Sequence, residues 1–349
     1  MIRCTQVMKK LHNLVLFVGL ASAQAHSATI LQYHHVSEKL PPVTSVSEDT
    51  FKSHLEFLKQ GNYNVIALND FIDTLQQGKS LPMNTVAITF DDGYDNNIEA
   101  AAPLLEAYNF PYTIFVNPQL IDEGQSYVMT WDELRALSKR GAIIANHSAK
   151  HDYLHLRKKG ESESQWQQRI SHDLTWSQQR INAEIGHNYP YIAYPYGEFD
   201  TSLQELVKKL GLIGIGQHSG AVGPTTDFTR MPRFPSSGIY SNLKTLKVKI
   251  NSIPFDIDKL TYDNSVTTHR TPSFTLSFNT MDFSQGQLAC FVSGIGRATL
   301  TWTGEKTVTV TTPEPLHTGR SRYNCTAPSK THKGRFHWFS QPWVVQKAQ

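Results

Sequence analysis

Short apolar segments alternate with helical patterns from about residue 28 to about residue 250 of the 349-residue chain. The apolar segments are often β-branched, as is typical of parallel strands that are buried on both faces. Seven strands are predicted in this way: Ile30–Tyr33, Asn64–Leu68, Val86–Phe90, Tyr112–Val116, Ala142–Ala145, Tyr191–Tyr194 and Leu212–Gly216. The alternation is compatible with a doubly wound sheet or a (β/α) barrel. Because no G-x-G-x-x-G motif follows the first strand, we favour an α/β fold built as a distorted (β/α) barrel of about seven strands.

The pattern changes after about Pro254 to short alternating segments separated by Gly, Pro and polar turns, which predicts an all-β region. Its Cys290, Trp302, Tyr323 and Cys325 are similar to the pattern of immunoglobulin-like sandwiches. We therefore expect a barrel domain over residues 26–253 and a small β-sandwich domain over 254–349. A Cys290–Cys325 disulfide is expected within the sandwich, with two buried free thiols as the alternative.

The first 25 residues resemble a signal peptide. A basic start is followed by an apolar run from Leu11 to Leu20 and by Ala23-Gln24-Ala25, an A-x-A cleavage site. We expect residues 1–25 to be removed and the protein to be exported to the periplasm or secreted. An uncleaved membrane anchor is the alternative, but the run is shorter than the ~20 residues that a bilayer requires. No transmembrane segment is expected after cleavage.

Composition excludes two other classes of protein. With 39% hydrophobic residues the chain can bury a full-sized core, which excludes a disordered protein. The formal net charge of +3 comes from Arg3, Lys9 and Lys10 in the first 25 residues, which contain no acidic residue. The remaining charges balance, so no nucleic-acid partner is expected. The sequence does not indicate the oligomeric state.

Asp91 and Asp92 come directly after the predicted strand Val86–Phe90. Adjacent aspartates in loops are usually turn formers in contact with solvent. This pair, however, falls at the carboxyl end of a barrel strand, where α/β barrels build their active sites. The placement favours a functional role.

His147 and His151 are four residues apart, directly after the predicted strand Ala142–Ala145. Two imidazoles and one carboxylate make a three-ligand site that leaves a coordination position open, as catalytic metals require. Zn²⁺ suits these ligands best, while Co, Ni or Fe would also fit. Because position 148 is Ser, the H-E-x-x-H motif of zincin proteases is absent. One aspartate would then bind the metal and the other would act as a base.

Two further segments follow predicted strands. In Tyr194-Pro195-Tyr196-Gly197, the backbone N–H of Tyr196 is a candidate to point into the rim of the barrel. His218, at the end of the last strand, is a candidate general acid near neutral pH, with a buried structural histidine as the alternative.

These four segments, in this order, resemble the NodB-type polysaccharide deacetylases of carbohydrate esterase family 4 over most of residues 28–250. The sequences Leu31-Gln32-Tyr33-His34-His35-Val36, Asp91-Asp92-Gly93-Tyr94-Asp95 and Ala193-Tyr194-Pro195-Tyr196-Gly197 are most similar to the exopolysaccharide deacetylases that act on poly-β-1,6-N-acetylglucosamine. The resemblance implies a metal-dependent hydrolase of amide bonds that takes an N-acetylated polysaccharide as its partner and releases acetate.

The resemblance also implies a role for each motif residue. Asp91 would be the general base, and His218 the general acid. The metal would be bound by Asp92, His147 and His151, with Ser148 orienting His151 and the Tyr196 N–H stabilising the oxyanion. Many family members carry an arginine just before the Pro-Tyr-Gly element to hold the base, but Ile192 and Ala193 occupy that stretch here. We therefore expect Asp91 to lack its usual basic partner.

Three residues are candidates for sugar binding: Tyr94, Trp131 and His34. Tyr94 and Trp131 could stack on pyranose rings, with core or loop packing as the alternative, and His34 ends the first strand near the same rim.

Four other functions remain to be weighed. A serine esterase is disfavoured because no G-x-S-x-G motif occurs. A glycosidase would have no use for His147 and His151. A deacetylase of chitin oligosaccharides or peptidoglycan, and a non-catalytic glycan-binding protein on the same scaffold, stay open as alternatives.

Overall fold

The computed structural model of this chain describes residues 27–347. The predicted signal peptide lies outside the described residues. The strands of the N-terminal region are β1 (Ala28–Tyr33), β2 (His35–Val36), β3 (Ser45–Val46), β4 (Asn64–Val65), β5 (Thr85–Phe90), β6 (Tyr112–Val116), β7 (Ile143–Asn146), β8 (Tyr191–Ala193), β9 (Ile213–Ile215) and β10 (Phe234–Pro235).

Eight of these strands form one all-parallel sheet in the order β10-β1-β5-β6-β7-β8-β9, with β4 paired to the start of β5. The remaining two, β2 and β3, pair with each other. The main sheet curls, and the segment 228–235 lies between its two edges. Met231 hydrogen-bonds with Gly214 of β9, and Phe234 pairs with Leu31 of β1. The predicted fold class, a distorted (β/α) barrel, is confirmed.

Helices connect the strands, and several begin where the sequence supplies a capping residue. They are α1 (Glu48–Gln60), α2 (Leu68–Gln76), α3 (Ala102–Tyr108), α4 (Pro118–Asp122), α5 (Trp131–Lys139), α6 (Glu163–Ile185), α7 (Thr201–Lys209) and α8 (Leu243–Ile250). A π-helical turn over Asn97–Ala101 precedes α3. Thr130 and Glu133 form a reciprocal capping box at the start of α5, which satisfies two orphan backbone N–H groups.

Strand alternation separates the barrel interior from its outer surface. Odd-numbered residues of β5 and β7, such as Ala87 and Ala145, join Ile30 of β1 and Ile215 of β9 in the interior cluster. Their neighbours, such as Ile88 and Ile144, pack outwards against α1, α3 and α5. Because the period is two, the inward-facing position at the carboxyl end of each strand is fixed by the apolar residues before it.

The C-terminal region is all-β, as predicted. Its strands are β11 (Ile257–Thr261), β12 (Val266–Thr267), β13 (Ser273–Phe278), β14 (Ala289–Val292), β15 (Gly296–Arg297), β16 (Thr299–Thr303), β17 (Thr307–Thr311), β18 (Gly319–Pro328) and β19 (Phe336–Val345). They form a four-stranded sheet, β11-β13-β17-β16, and a five-stranded sheet, β12-β19-β18-β14-β15, which share one apolar core. The predicted domain division at residues 253 and 254 falls between α8 and β11.

Cys290 and Cys325 face each other across β14 and β18 and form a disulfide in that core. The Tyr323 hydroxyl donates a hydrogen bond to the carbonyl of Pro272 over 2.8 Å, the contact expected of a tyrosine corner.

The β region packs directly against the barrel. Trp338 of β19 lies edge-on against Phe234 of β10, with ring centroids 5.4 Å apart, and the buried Arg230 donates a hydrogen bond to Gln341 over 2.9 Å. Arg320 and Arg322 of β18 reach the carboxyl rim of the barrel. Among residues 27–347, no helix combines the length and apolar character needed to cross a lipid bilayer.

Candidate metal and catalytic site

Polar side chains replace apolar ones at the inward-facing positions where the barrel strands end. Gln32 and Thr89, at the ends of β1 and β5, and Asp91 and His147, just past β5 and β7, are fully buried or nearly so. Buried polar groups are costly unless they are paired or bind a ligand. Their placement at the carboxyl rim marks this end of the barrel as the candidate site.

Asp92, His147 and His151 converge on one point. Asp92 Oδ1 lies 3.2 Å from His147 Nε2 and 3.2 Å from His151 Nε2, and one ligand atom from each residue falls within 4.8 Å of the others. Asp92 Oδ1 and His147 Nε2 are buried and make no hydrogen bond to any other group. A divalent cation is bound by lone-pair donors that face one another and have no other partners, so this donor set fits a divalent metal ion.

A backbone carbonyl fixes the orientation of the His147 ring. Its Nδ1–H donates a hydrogen bond to the carbonyl of Ala193 on β8 over 2.7 Å, which leaves the Nε2 lone pair directed at Asp92. Burial raises the pKa of Asp92, but the neighbouring His147 lowers it by more, so the carboxyl is ionised. Burial and His147 lower the pKa of His151 to about 4, which leaves its imidazole neutral and able to bind a metal at neutral pH.

Backbone strain places two of the ligands. Asp92 and His151 adopt positive φ angles of 70° and 63°, and Ser148 between the histidines has φ 69°. Such angles are unfavourable for non-glycine residues and persist where the surroundings enforce them. Asn146 Oδ1 accepts from the Ser148 N–H over 2.7 Å, and Ser148 Oγ accepts from the His151 N–H over 3.1 Å. Ser148 therefore orients His151 through the backbone of the loop.

Asp91 has a basic partner, so the expectation that it lacks one is wrong. The fully buried Arg233 reaches Asp91 with two parallel contacts, Nη1 to Oδ1 at 2.6 Å and Nη2 to Oδ2 at 2.7 Å. Gln32 Nε2 donates to Oδ2 over 2.6 Å. Burial raises the pKa of Asp91, but Arg233 and His147 together lower it to about 2. The carboxylate is held ionised and in one orientation.

The arginine comes from an unexpected part of the chain. Arg233 lies in the segment that closes the barrel, two residues after the interior residue Met231 and directly before β10. The same alternation directs its side chain inwards, where Nε also donates to the carbonyl of Gly216 over 2.9 Å. A two-residue strand has no apolar run, so the sequence carries no signal for this position beyond the alternation itself.

Three further predicted residues lie at the site. His34 comes directly after β1 and is partly exposed, and it contributes electrostatically to the low pKa of both Asp91 and Asp92. The ring of Tyr94 stacks on that of His35, with centroids 3.7 Å apart. Burial and the adjacent Asp92 raise the pKa of the Tyr94 hydroxyl. The ring of Tyr196 meets His151 edge-on at 4.4 Å.

His218 does not join this group. Gln217 faces inwards and reaches Asp91 Oδ2 at 3.5 Å, so the next residue is directed away from the interior. The ring centroid of the buried His218 lies 5.8 Å from that of Phe199, and among the described residues no hydrogen bond, ion pair or ring contact joins the His218 ring to Asp91 or the metal-binding cluster. Burial and the nearby Arg230 hold its pKa well below the ordinary value, which favours the neutral imidazole.

Trp131 is also placed elsewhere. Its indole N–H donates to Asp122 over 2.7 Å, and the Arg180 guanidinium lies 5.3 Å from its ring centroid. This packing between α4, α5 and α6 corresponds to the structural alternative for Trp131.

The sequence did not point to Tyr153. Its ring stacks on that of Tyr196, with centroids 4.0 Å apart and ring planes 14° apart, and the residue is 39% exposed.

Residues 78–215, which include the aspartate pair, the histidine pair and the Tyr196 turn, match the polysaccharide deacetylase family. This chain contains a polysaccharide deacetylase domain. The predicted family and enzyme class, a hydrolase of amide bonds, are confirmed.

Two staphylococcal proteins are similar to this chain. The poly-beta-1,6-N-acetyl-D-glucosamine N-deacetylase of Staphylococcus epidermidis is 29% identical over 231 residues, which cover 60% of this chain and 79% of that protein. The protein of the same name from Staphylococcus aureus (strain MSSA476) is 28% identical over 228 residues, which cover 60% of this chain and 78% of that protein.

Solved structures share the fold. The Streptococcus pyogenes deacetylase PplD in complex with acetate superposes with a TM-score of 0.57 at 20% identity and covers 65% of this chain and 99% of that one. IcaB from Ammonifex degensii superposes with a TM-score of 0.56 at 18% identity, and the superposition covers 66% of this chain and 99% of IcaB. Each superposition leaves about a third of this chain uncovered.

Arg233→Met removes the cation and leaves Asp91 as an unpaired buried carboxylate, which costs about 3–5 kcal/mol. The pKa of Asp91 is about 2 in the folded protein and about 3.9 in an unfolded chain, so the pair contributes its full stability above about pH 4 and loses it as the pH falls through 2. We expect the variant to lose that free energy of unfolding at pH 7 and clearly less at pH 3, measured by urea denaturation.

The matched control is Arg297→Met, at an exposed arginine of β15, which should change the free energy of unfolding by less than about 0.5 kcal/mol. An Arg233→Met loss of equal size at both pH values would contradict the ion-pair account.

Proposed function

We propose that this protein removes N-acetyl groups from poly-β-1,6-N-acetylglucosamine and releases acetate, with zinc as its metal. One observation carries the proposal: Asp92, His147 and His151 converge within 4.8 Å, directly beside an Asp91 carboxylate that Arg233 holds ionised. That arrangement lies in a polysaccharide deacetylase domain, and the names of the two staphylococcal relatives support the β-1,6 linkage.

The proposed general base is Asp91. Its carboxylate is ionised at neutral pH and lies beside the metal ligands, so it can accept the proton of the attacking water. Arg233 and Gln32 restrict its orientation, which preserves the geometry needed for proton transfer. Zinc bound by Asp92, His147 and His151 would polarise the acyl oxygen and lower the pKa of a water ligand.

The proton for the departing sugar amine comes from His34 in this proposal, which replaces the predicted role of His218. Two observations support this assignment: His34 is partly exposed directly after β1, and it acts electrostatically on both aspartates. The His218 imidazole is buried and directed away from the barrel interior.

The oxyanion and the sugar would be bound at the Tyr196 turn, next to His151. The turn that carries the proposed oxyanion donor, the Tyr196 N–H, is held by Arg320, whose Nη1 lies 3.5 Å from the Tyr196 carbonyl oxygen. The stacked rings of Tyr153 and Tyr196 form a partly exposed aromatic surface next to His151, which suits the apolar face of a pyranose. Tyr94, in contrast, supports the Asp92 ligand from within the site.

The proposed location is outside the cytoplasm, in the periplasm or secreted. The signal-like residues 1–25 support export, and the Cys290–Cys325 disulfide suits an oxidising compartment.

Asp92→Ala and Asp91→Asn separate metal binding from proton transfer. We expect Asp92→Ala to lose both bound zinc and acetate release, because one of three ligands is missing. Asp91→Asn should keep the zinc and lose about 10²- to 10⁴-fold in rate, the usual contribution of a general base. The measurements are zinc content and acetate release from β-1,6- and β-1,4-linked N-acetylglucosamine oligomers, after chelation and with zinc restored.

Full turnover by folded Asp92→Ala would contradict the mechanism. Release from β-1,4-linked oligomers alone would redirect the proposal to chitin or peptidoglycan. Zinc binding without release from either oligomer would favour the non-catalytic glycan-binding alternative.

His34→Gln and His218→Gln distinguish the two candidate acids. Loss of the general acid should lower the rate by about 10²-fold and flatten the fall of the pH–rate profile at high pH. We expect both changes in His34→Gln, while His218→Gln keeps the shape of the wild-type profile. The reverse result, with both variants folded, would return the acid role to His218.

A further inference from the structure

A cationic cluster lies where α8 and the β region meet the rim of the barrel; it consists of Lys249, Arg322 and Tyr240, together with Ser237, whose carbonyl accepts a hydrogen bond from the Tyr240 N–H over 3.0 Å. Lys249 Nζ is 4.8 Å from the centroid of the Tyr240 ring, and the Arg322 guanidinium carbon is 5.8 Å from the same centroid. Arg322 Nη2 also donates to the Tyr240 hydroxyl over 3.0 Å. Two cations therefore share one aromatic ring.

No negative charge compensates these cations. Lys249 is only 7% exposed, and its Nζ is buried without a hydrogen-bond partner. The Ser237 hydroxyl, 5% exposed, is also buried without a partner. Within residues 27–347, neither Lys249 nor Arg322 forms a salt bridge with any carboxylate. A buried ammonium without a partner is costly, and such groups in proteins are normally paired.

The free groups of the cationic cluster are hydrogen-bond donors. Lys249 and Arg322 can only donate, and Tyr240, which already accepts from Arg322, has its own proton left to donate. Ser237 supplies a further hydroxyl. The complementary ligand is an anion with several acceptor oxygens, and lysine and arginine bind carboxylates in this way.

The cationic cluster is connected to the catalytic site by two consecutive contacts. Arg322 Nη1 lies 3.5 Å from the carbonyl oxygen of Gln217, and the Gln217 side chain lies 3.5 Å from Asp91 Oδ2. A single residue, Gln217, therefore separates the cationic cluster from Asp91.

We propose that Lys249, Arg322, Tyr240 and Ser237 form a carboxylate-binding site, and that the acetate released by the reaction occupies it on leaving. The occupant rests on the proposed deacetylase function. The site itself rests on the unpartnered buried ammonium and on the absence of a counter-charge among the described residues.

Acetate binding by the metal-free full-length chain tests the site without relying on catalysis. The chelator-treated protein is heated with increasing acetate at constant ionic strength, and acetamide serves as the neutral isostere. A ligand that binds only the folded state raises the unfolding midpoint as its concentration rises. We expect acetate, and not acetamide, to raise the midpoint of the wild-type protein.

Three variants locate the effect. Lys249→Met should abolish the acetate-dependent rise and weaken product inhibition of the zinc enzyme by acetate about tenfold, the loss expected for one charge-assisted hydrogen bond. Arg322→Gln, at a partly exposed residue, should have the same effect and remains informative if Lys249→Met does not fold. Lys244→Met, at an exposed lysine of α8, is the matched control and should behave as wild type.

If folded Lys249→Met and Arg322→Gln both keep the acetate-dependent rise in unfolding midpoint, the proposed site is overturned. If the same protein releases acetate from a glycan, the proposed function nevertheless stands. A chain that releases no acetate from any glycan, but loses the acetate-dependent rise with Lys249→Met, would overturn the function and keep the site. A rise produced only by an N-acetylglucosamine oligomer bearing a carboxylate substituent would overturn free acetate as the occupant.

Discussion

The ion pair between Asp91 and Arg233 joins the fold to the chemistry. Both side chains are fully buried, and burying two charges is favourable only when the geometry is good and the remaining donors are satisfied. Four hydrogen bonds meet that condition. Arg233 makes two parallel contacts with Asp91 and donates to the Gly216 carbonyl, and Gln32 donates to Asp91. Because Arg233 belongs to the segment between the two sheet edges, closing the barrel and orienting the proposed base depend on the same contact.

The metal-binding residues depend on a second constraint, the strained backbone at the ends of β5 and β7. Asp92 and His151 have positive φ angles, which cost free energy at non-glycine residues. Contacts from Asn146, Ser148 and Ala193 hold the loop against that strain. Strain of this kind lets two neighbouring aspartates serve different roles, with Asp91 directed to Arg233 and Asp92 to the histidines.

The sequence was sufficient to predict the barrel, the all-β region, the disulfide and the motifs that supply the candidate site, because each depends on local apolar periodicity or on residues adjacent in the chain. It failed where position depends on the closure of the sheet. Arg233 lies directly before the two-residue strand β10, where no apolar run marks a strand, and Asp91 was therefore expected to have no basic partner. His218 was assigned by its place after a strand, although the alternation from Ile213 through Ile215 to Gln217 already directs it away from the interior. Trp131 was assigned by residue type alone, and its partners Asp122 and Arg180 come from other helices.

The most direct test of this account is a crystal structure of the zinc-loaded protein with anomalous diffraction data collected at the zinc edge. The account predicts one anomalous peak at the barrel rim, bound by Asp92, His147 Nε2 and His151 Nε2 at about 2.0–2.2 Å, with Asp91 still paired to Arg233. A peak coordinated by Asp91, or a zinc site elsewhere on the chain, would contradict it.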